Sequence, residues 1–415
     1  MGNFGDASVN RRRFLQFLAG SPLFACTGLP EILRRGREGM ALAADIAIDS
    51  NIAITTAAQA LDVFDLEQVA VKTLPVAHAA YLATGVESDA TIRANRDGFT
   101  KFQIYARRLV DTTRLDTQVE LFGTTWPTPI VLDPVSSLRA FHADGDVAVA
   151  RAARVRNHLE IYPTLATSPL DEVLKARGMP VWFQLYPTKD WNITQALVKR
   201  AEAAGCPVVA VTVDNPTSAG RETLARRRRL DTRNCEACHS NALGAYFSRK
   251  PMFELLDVTK LTSPLADNLS WEFVTRLKGA TSMKVVLKGI VTADDATLAI
   301  QHGADGVIVS NHGGRGEESG RSTIEALPEV VAAIGGKIPV LVDSGFRRGS
   351  DIFKGIALGA DAVCVGRPYV WGLAAFGQAG VERSLEILKT ELEITMRSMG
   401  APSLRSMKQG FVRRA

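Results

Sequence analysis

The sequence predicts a (β/α)8 barrel of the TIM type, with an N-terminal helical cap and a long fourth βα loop, and three observations carry that prediction. From residue 129 onward, eight short, nearly continuous apolar runs alternate with amphipathic stretches, as parallel strands covered on both faces require. Most of those runs end in polar or charged residues, which a barrel would gather on one rim. No Gly-rich dinucleotide fingerprint follows the first run, which speaks against a doubly wound open sheet, the rival architecture.

In chain order, residues 1–43 read as an export leader. The stretch NRRRFLQFLAGSPLFACTG joins paired arginines to Phe14, Leu15 and a short apolar segment, the pattern of a twin-arginine signal. Gly20, Ser21 and Pro22 break that segment before it reaches the length of a membrane span. Ala41-Leu42-Ala43 supplies a cleavage site, and Leu23-Phe24-Ala25-Cys26 an alternative lipid-attachment site. The expected location is periplasmic or otherwise exported, with a lipid anchor as the variant. This route carries folded proteins, so it suits a chain that takes up a cofactor before leaving the cytoplasm. The formal charge of the 415 residues is +5, and +3 of it lies in the leader, where six arginines face Asp6, Glu31 and Glu38. The rest is close to neutral, so nucleic acid is not an expected partner, and Arg226 to Arg229 read as a solvated loop.

Residues 44–128 form the cap, with helical pieces in LDVFDLEQVAVKTL and SDATIRANRDGF. The barrel occupies 129–415. Its strands are PIVLD (129–133), LEIYPT (159–164), VWFQLY (181–186), VVAVTVD (208–214), KVVLKGI (284–290), GVIVSN (306–311), PVLVDSG (339–345) and AVCVGR (362–367). Between them lie helices such as WNITQALVKRAEAAG and TADDATLAIQHGA, the latter with Thr292 as N-cap. The fourth connection, about 215–268, far exceeds an ordinary βα loop and reads as a lid over that rim.

The strand ends predict a lined pocket. They carry Gln184 and Tyr186, Thr212 and Asp214, Lys288, Ser310 and His312, Asp343-Ser344-Gly345, and Gly366-Arg367. DSGFRRG and GRP combine glycines with arginines, as a phosphate cradle requires, although each alone is also ordinary turn chemistry. Lys288 on an apolar strand is placed to hold negative charge on an electron-accepting ring, or merely snorkels to solvent. His312 is a base candidate with Asp214 to orient it, against the plain reading of a hydrogen-bonded structural histidine. Arg221 and Arg315 are candidates for gripping a substrate carboxylate.

From about Thr73 to the end, the chain resembles the FMN-dependent 2-hydroxy-acid oxidases and dehydrogenases, such as glycolate oxidase, lactate oxidase and the flavin domain of cytochrome-linked lactate dehydrogenases. SNHGGR (310–315) is the most specific match, where the family has Ser-Asn-His-Gly-X-Arg. FQLY, TVD, GRE, LKG, RRGSDIFKGIALGA and GRP follow in family order. The resemblance implies FMN as cofactor and oxidation of a small L-2-hydroxy acid (lactate-like, glycolate-like or mandelate-like) to the 2-oxo acid. Electrons would pass on to oxygen, a quinone or a cytochrome. It makes His312 the base, Asp214 its partner, and Tyr81, Tyr186, Arg221 and Arg315 substrate ligands. Pro134, Val135, Ser136, Gln184, Thr212, Lys288 and Ser310 would line the flavin. Asp343, Ser344, Gly345, Phe346, Arg347, Gly366 and Arg367 would hold its ribityl chain and phosphate. Relatives are commonly tetramers, so a homo-oligomer is expected.

Several positions depart from that family. Asp133-Pro134-Val135-Ser136 stands where it usually has Ala-Pro-Thr-Ala, and Pro163 replaces a flavin-contacting serine, with Thr164 as substitute. Leu165 replaces an aromatic residue near the substrate side chain, which leaves room for a larger one. Two rivals remain: a flavin-binding electron-transfer protein whose substrate chemistry has lapsed, and an FMN-dependent barrel isomerase. Within the lid, Cys235-Glu-Ala-Cys238-His239 has the spacing of covalent haem c attachment, with Met252 the candidate second ligand. The plainer readings are a Cys235–Cys238 disulfide in an oxidising compartment or two cysteines of a metal site that lacks clear partners, and no metal ligand is assigned. Cys206 and Cys364 sit in or beside apolar runs, as core residues do.

Overall fold

The computed structural model describes residues 54–415 apart from 216–219, 234–245, 248, 260, 262, 264 and 409. The leader and Cys235, Cys238 and His239 lie outside the described residues. Among the described residues, a 3-10 turn (Ala57–Gln59) is followed by three α-helices, α1 (Val63–Thr73), α2 (Val76–Ala83) and α3 (Ala90–Asp97). Asp62 starts α1 by accepting from the Phe64 and Asp65 amides at 2.8 and 3.2 Å, which satisfies two of its free N–H groups. Short strand β1 (Phe102–Ile104) follows, then a hairpin of β2 (Val119–Leu121) and β3 (Thr124–Trp126).

Eight parallel strands then close a barrel. They are β4 (Ile130–Leu132), β5 (Leu159–Pro163), β6 (Trp182–Leu185), β7 (Val208–Thr212), β8 (Lys284–Lys288), β9 (Gly306–Val309), β10 (Val340–Val342) and β11 (Ala362–Val365). Each pairs with its sequence neighbour, and β11 returns to β4 in the register Val363↔Ile130. The eight predicted runs are these eight strands. Helices α4 (Gly145–Val155), α5 (Leu170–Arg177) and α6 (Trp191–Ala203) link the first four strands. The fourth connection holds the short α7 (Glu222–Arg228) and α8 (Trp271–Ala280). After it come α9 (Ala293–Gln301), α10 (Thr323–Ile334) and α11 (Gly349–Ala357). The Thr292 hydroxyl accepts from the Asp295 amide at 3.2 Å, as its N-cap role requires. The long α12 (Arg367–Met399) breaks at Phe376-Gly377, and α13 (Leu404–Met407) leads to β12 (Val412–Arg414), which pairs antiparallel with β1.

Two apolar clusters hold the unit together. One lies between the barrel and its helices. The other fills the barrel interior, with Val131, Ile161, Trp182, Ala210, Val286, Ile308, Leu341 and Cys364 pointing inward. Leu121 and Trp126 of the β2–β3 hairpin join this interior cluster, so the hairpin plugs one end. The opposite end, where the strands finish, is left for the site. Among the described residues no helix is long and apolar enough to cross a membrane.

Candidate active site

Side chains on a strand alternate between its two faces, so the residue two after an inward core residue also points inward. From the interior cluster this rule gives Asp133 after Val131, Gln184 after Trp182, Thr212 after Ala210 and Lys288 after Val286. It likewise gives Ser310 after Ile308, Asp343 after Leu341 and Gly366 after Cys364. The apolar interior therefore ends in a polar layer one step up. Asp133, Gln184, Thr212, Lys288, Asp343 and Gly366 line a single cavity with Pro134, Val135, Ser136, Tyr81, Tyr186, His312 and Arg315. Ser310 is not among the lining residues, and its hydroxyl oxygen accepts from Lys288 Nζ at 2.9 Å and from the His312 amide at 3.1 Å.

SNHGGR reverses direction just past β9. His312 adopts φ +58°, a left-handed conformation unusual for a residue with a side chain, and Gly313 and Gly314 continue it at +69° and +72°. The Asn311 and Asn95 amides bond each other at 2.8 Å in both directions, which ties this turn to α3. His312 Nδ1 then meets Asp214 Oδ1 at 2.7 Å, and Nε2 meets Tyr186 Oη at 3.1 Å. Burial pushes the Asp214 carboxyl up, but the His312 charge and hydrogen bond, with Lys288 beyond, hold it below the usual carboxylate value. Asp214 is therefore an acceptor, Nδ1 carries the hydrogen, and Nε2 is left as the basic nitrogen. Burial raises the Tyr186 phenol, so that hydroxyl stays protonated and donates to Nε2.

Two arginines approach the same space. Arg315 donates to the backbone carbonyls of Tyr81 and, at 3.0 Å, Thr84, which fixes the guanidinium, while its Nη2 has no hydrogen-bond partner among the described residues. It lies 4.3 Å from the Tyr81 ring centre and Arg221 lies 5.7 Å from it. Burial alone would raise the Tyr81 phenol, yet the two guanidinium charges bring it below its ordinary value. Arg221 also donates to the Arg315 carbonyl at 3.4 Å, so the pair is spaced by backbone despite like charge.

Arg347 and Arg367 also line this cavity and add to its positive charge. Arg367 donates from Nε to the Leu82 carbonyl at 2.6 Å and from Nη1 to that of Gly313 at 3.0 Å, and its Nη2 has no partner among the described residues. Arg347 packs 4.7 Å over Trp371 and donates to the Phe346 carbonyl at 2.8 Å. Burial pulls Arg347 down to about 10 and Arg367 well below its usual value, and repulsion between neighbouring guanidiniums adds to both. An anion would relieve that repulsion, so the residues present fit a phosphate-bearing cofactor. Phe346 contributes backbone rather than side chain, for its ring packs edge-on against Phe99 at 5.0 Å.

Other expectations fare differently. The Thr164 hydroxyl is engaged by the Gln184 carbonyl at 2.6 Å and the Tyr186 amide at 2.9 Å, so it braces the wall instead of replacing a flavin contact. Met252 is buried among Phe247, Phe253 and other apolar side chains, which leaves its sulfur in the core. Cys206 and Cys364 are buried and free. Leu82, Gly313, Val365 and Val370 also line the cavity, and the Glu67 charge faces Arg347 and Arg367, though nothing in the sequence marks these residues out. In the sequence Asp133 stands out only as a departure from the family and not as a lining residue, although its place two after Val131 is the signal for it.

The sequence pattern of the FMN-dependent dehydrogenase family matches residues 70–414. Glycolate oxidase of Spinacia oleracea is 36% identical over 364 residues, covering 85% of this chain and 95% of its own length. L-lactate oxidase of Lysinibacillus sphaericus (strain C3-41) is 36% identical over 349 residues, covering 83% and 90%. Among solved structures, mandelate oxidase is 36% identical with a TM-score of 0.76, covering 86% of this chain and 99% of that one.

Proposed function

Because the chain belongs to the FMN-dependent dehydrogenase family, whose relatives here are 2-hydroxy-acid oxidases, we propose that its FMN cavity oxidises an L-2-hydroxy acid to the 2-oxo acid with His312 as the base. One observation carries this reading. The Asp214–His312–Tyr186 relay opens onto the same cavity as the partnerless Nη2 of Arg315, which pairs a proton acceptor with an anion site.

The roles follow from charge. Arg315, with Arg221 beside it, grips the substrate carboxylate, and Tyr81 closes that end. His312 Nε2 takes the substrate proton, and the imidazolium so formed is stabilised by the Asp214 carboxylate at Nδ1. Tyr186 keeps the basic nitrogen aimed into the cavity until substrate arrives. FMN, when bound, accepts the two electrons that leave the substrate carbon. Asp343, Ser344, Gly345, Arg347, Gly366 and Arg367 would hold its ribityl chain and phosphate, and Lys288 would face its negative charge.

We assign a mandelate-like substrate ahead of a glycolate-like one, on the likeness to mandelate oxidase, and oxygen as acceptor, on the likeness to named oxidases. Leu165 is buried in the core and does not line the cavity. The twin-arginine leader would deliver the folded, FMN-loaded protein outside the cytoplasm, as a homo-oligomer. Whether Cys235, Cys238 and His239 add haem c is read from the same spectrum that tests the function. In that experiment the purified protein is mixed anaerobically with glycolate, L-lactate and L-mandelate. Bleaching of the flavin band is expected, fastest with mandelate, and a Soret band would mark haem. His312→Ala should keep its yellow FMN and lose roughly 10²–10⁴-fold in bleaching rate. Wild-type bleaching by that variant would remove His312 from the reaction.

A further inference from the structure

Lys288 faces more carboxylate than it can neutralise. Its Nζ donates to Asp343 Oδ2 at 2.5 Å, and Asp133 Oδ1 stands 3.8 Å away on the other side. The three side chains are 5%, 3% and 16% exposed, so water does little to screen them. They sit at the ends of β8, β10 and β4 by the alternation described above, and barrel pairing fixes their spacing. Two carboxylates against one ammonium leave an uncompensated negative charge in a buried site, which is strongly disfavoured. Asp343 is the better satisfied of the two, since it also accepts from the Ser344 hydroxyl at 2.5 Å. Asp133 lies beyond hydrogen-bond reach of Lys288, and its Oδ1 accepts no hydrogen bond among the described residues.

We propose that Asp133 is a proton-holding residue of the cofactor cavity: where it is ionised in the oxidised state, it takes one proton from solvent as bound FMN gains two electrons, and so couples the cofactor's potential to pH. The proposal rests on the FMN site above, though on no particular substrate. The step balances: two electrons enter the cofactor, one O–H bond forms on the Asp133 carboxylate, and one breaks in the buffer acid. That proton is additional to any the cofactor takes itself.

The groups facing Asp133 support the assignment. Burial pushes its carboxyl up, Lys288 on β8 pulls it back, and Asp343 beyond β10 and Asp214 beyond β7 push it further, to about 8. Cys364 on β11 and Tyr369 on α12 are both held protonated, by burial first and by the Asp133 charge as well, so neither competes for this proton. The Tyr369 hydroxyl donates to the Asp133 backbone carbonyl at 2.8 Å and leaves the carboxyl alone.

The sign follows. Below a pH of about 8 the carboxyl is protonated whether the cofactor is oxidised or reduced, and it adds no pH dependence. Above it, the oxidised state has an ionised Asp133, and charge arriving on the cofactor draws the proton in. The equilibrium constant for reduction then falls an extra tenfold per pH unit, about 30 mV for a two-electron couple.

The test is a mediator-equilibrated spectroelectrochemical titration of FMN-loaded wild type and Asp133→Asn from pH 6 to 10. The two lines should run parallel up to about pH 8 and then diverge by about 30 mV per pH unit, with the variant more positive. Parallel lines throughout overturn the proposal. Should the variant fail to hold FMN, reduced-minus-oxidised infrared spectra of wild type at pH 9 decide. A new protonated-carboxyl C=O band supports Asp133, and its absence overturns it. No hydroxy acid enters either measurement. Failure of substrate bleaching would sink the proposed reaction and leave this inference standing, whereas a wild-type chain that holds no FMN sinks both.

Discussion

His312 depends on two neighbours with opposite duties. In the proposed reaction, Asp214 at Nδ1 would stay ionised to stabilise a charged ring, whereas Tyr186 at Nε2 would stay neutral to keep that nitrogen aimed and then yield it. Their environments sort them accordingly, with Asp214 held low by the histidine and Tyr186 held high by burial. Asp214→Asn keeps the shape and removes the charge. We expect its anaerobic flavin bleaching by substrate to slow roughly 10²-fold or more, by analogy with other carboxylate-oriented bases. FMN affinity, read by fluorescence quenching, should stay within a few-fold, because the proposed phosphate contacts are Arg347 and Arg367 and Asp214 bonds neither. Unchanged bleaching would show that Asp214 only shapes the turn.

The SNHGGR turn is an element whose backbone matters as much as its side chains. At Gly314, φ is +72°, and a Cβ would sit 2.6 Å from the Ile92 amide nitrogen of α3. The same loop supplies the Gly314 carbonyl that the Val86 amide bonds at 3.2 Å. Gly314→Ala therefore meets both a conformational penalty and a backbone clash, and should lower stability by about 1–3 kcal/mol in urea unfolding. It should also weaken binding of a small dicarboxylate probe such as oxalate, since a displaced turn carries Arg315, the proposed carboxylate ligand, with it. A variant as stable as wild type would mean that α3 is free to shift. This element shows why part of the site could be read in advance. All eight strands were visible as apolar runs, and six lining residues follow from alternation alone. Leu82 and Glu67 were not visible, because they come from α2 and α1, and only the folding of the cap across the rim brings them to the arginines. Thr164 shows the opposite limit: its hydroxyl was free on paper, and two neighbours claim it in the fold.

Viewed as one molecule, the unit from 54 to 415 is a barrel whose plugged end is apolar and whose open end concentrates buried cations. Those cations give the folded state a site that an anion would stabilise. Ligand that binds only the folded chain stabilises it by RT ln(1 + [L]/Kd), roughly 2.7 kcal/mol at a hundredfold excess over Kd. In thermal unfolding this amounts to a few degrees for a chain of this size. Riboflavin offers the same ring without the phosphate, so the difference between FMN and riboflavin isolates the cradle. Arg347 is the informative position, for Asp351 still receives Arg96 Nη1 at 2.6 Å when the Arg347 side chain is gone. Arg367 is not, because its two carbonyl contacts also hold the cap to the turn. At equal concentration FMN should raise the melting temperature of wild type clearly more than riboflavin does. In Arg347→Ala the two should become nearly equal. Because both ligands are compared within one variant, a general loss of stability cancels. A full FMN advantage surviving in Arg347→Ala would move the phosphate away from β10 and leave Arg367 to hold it alone.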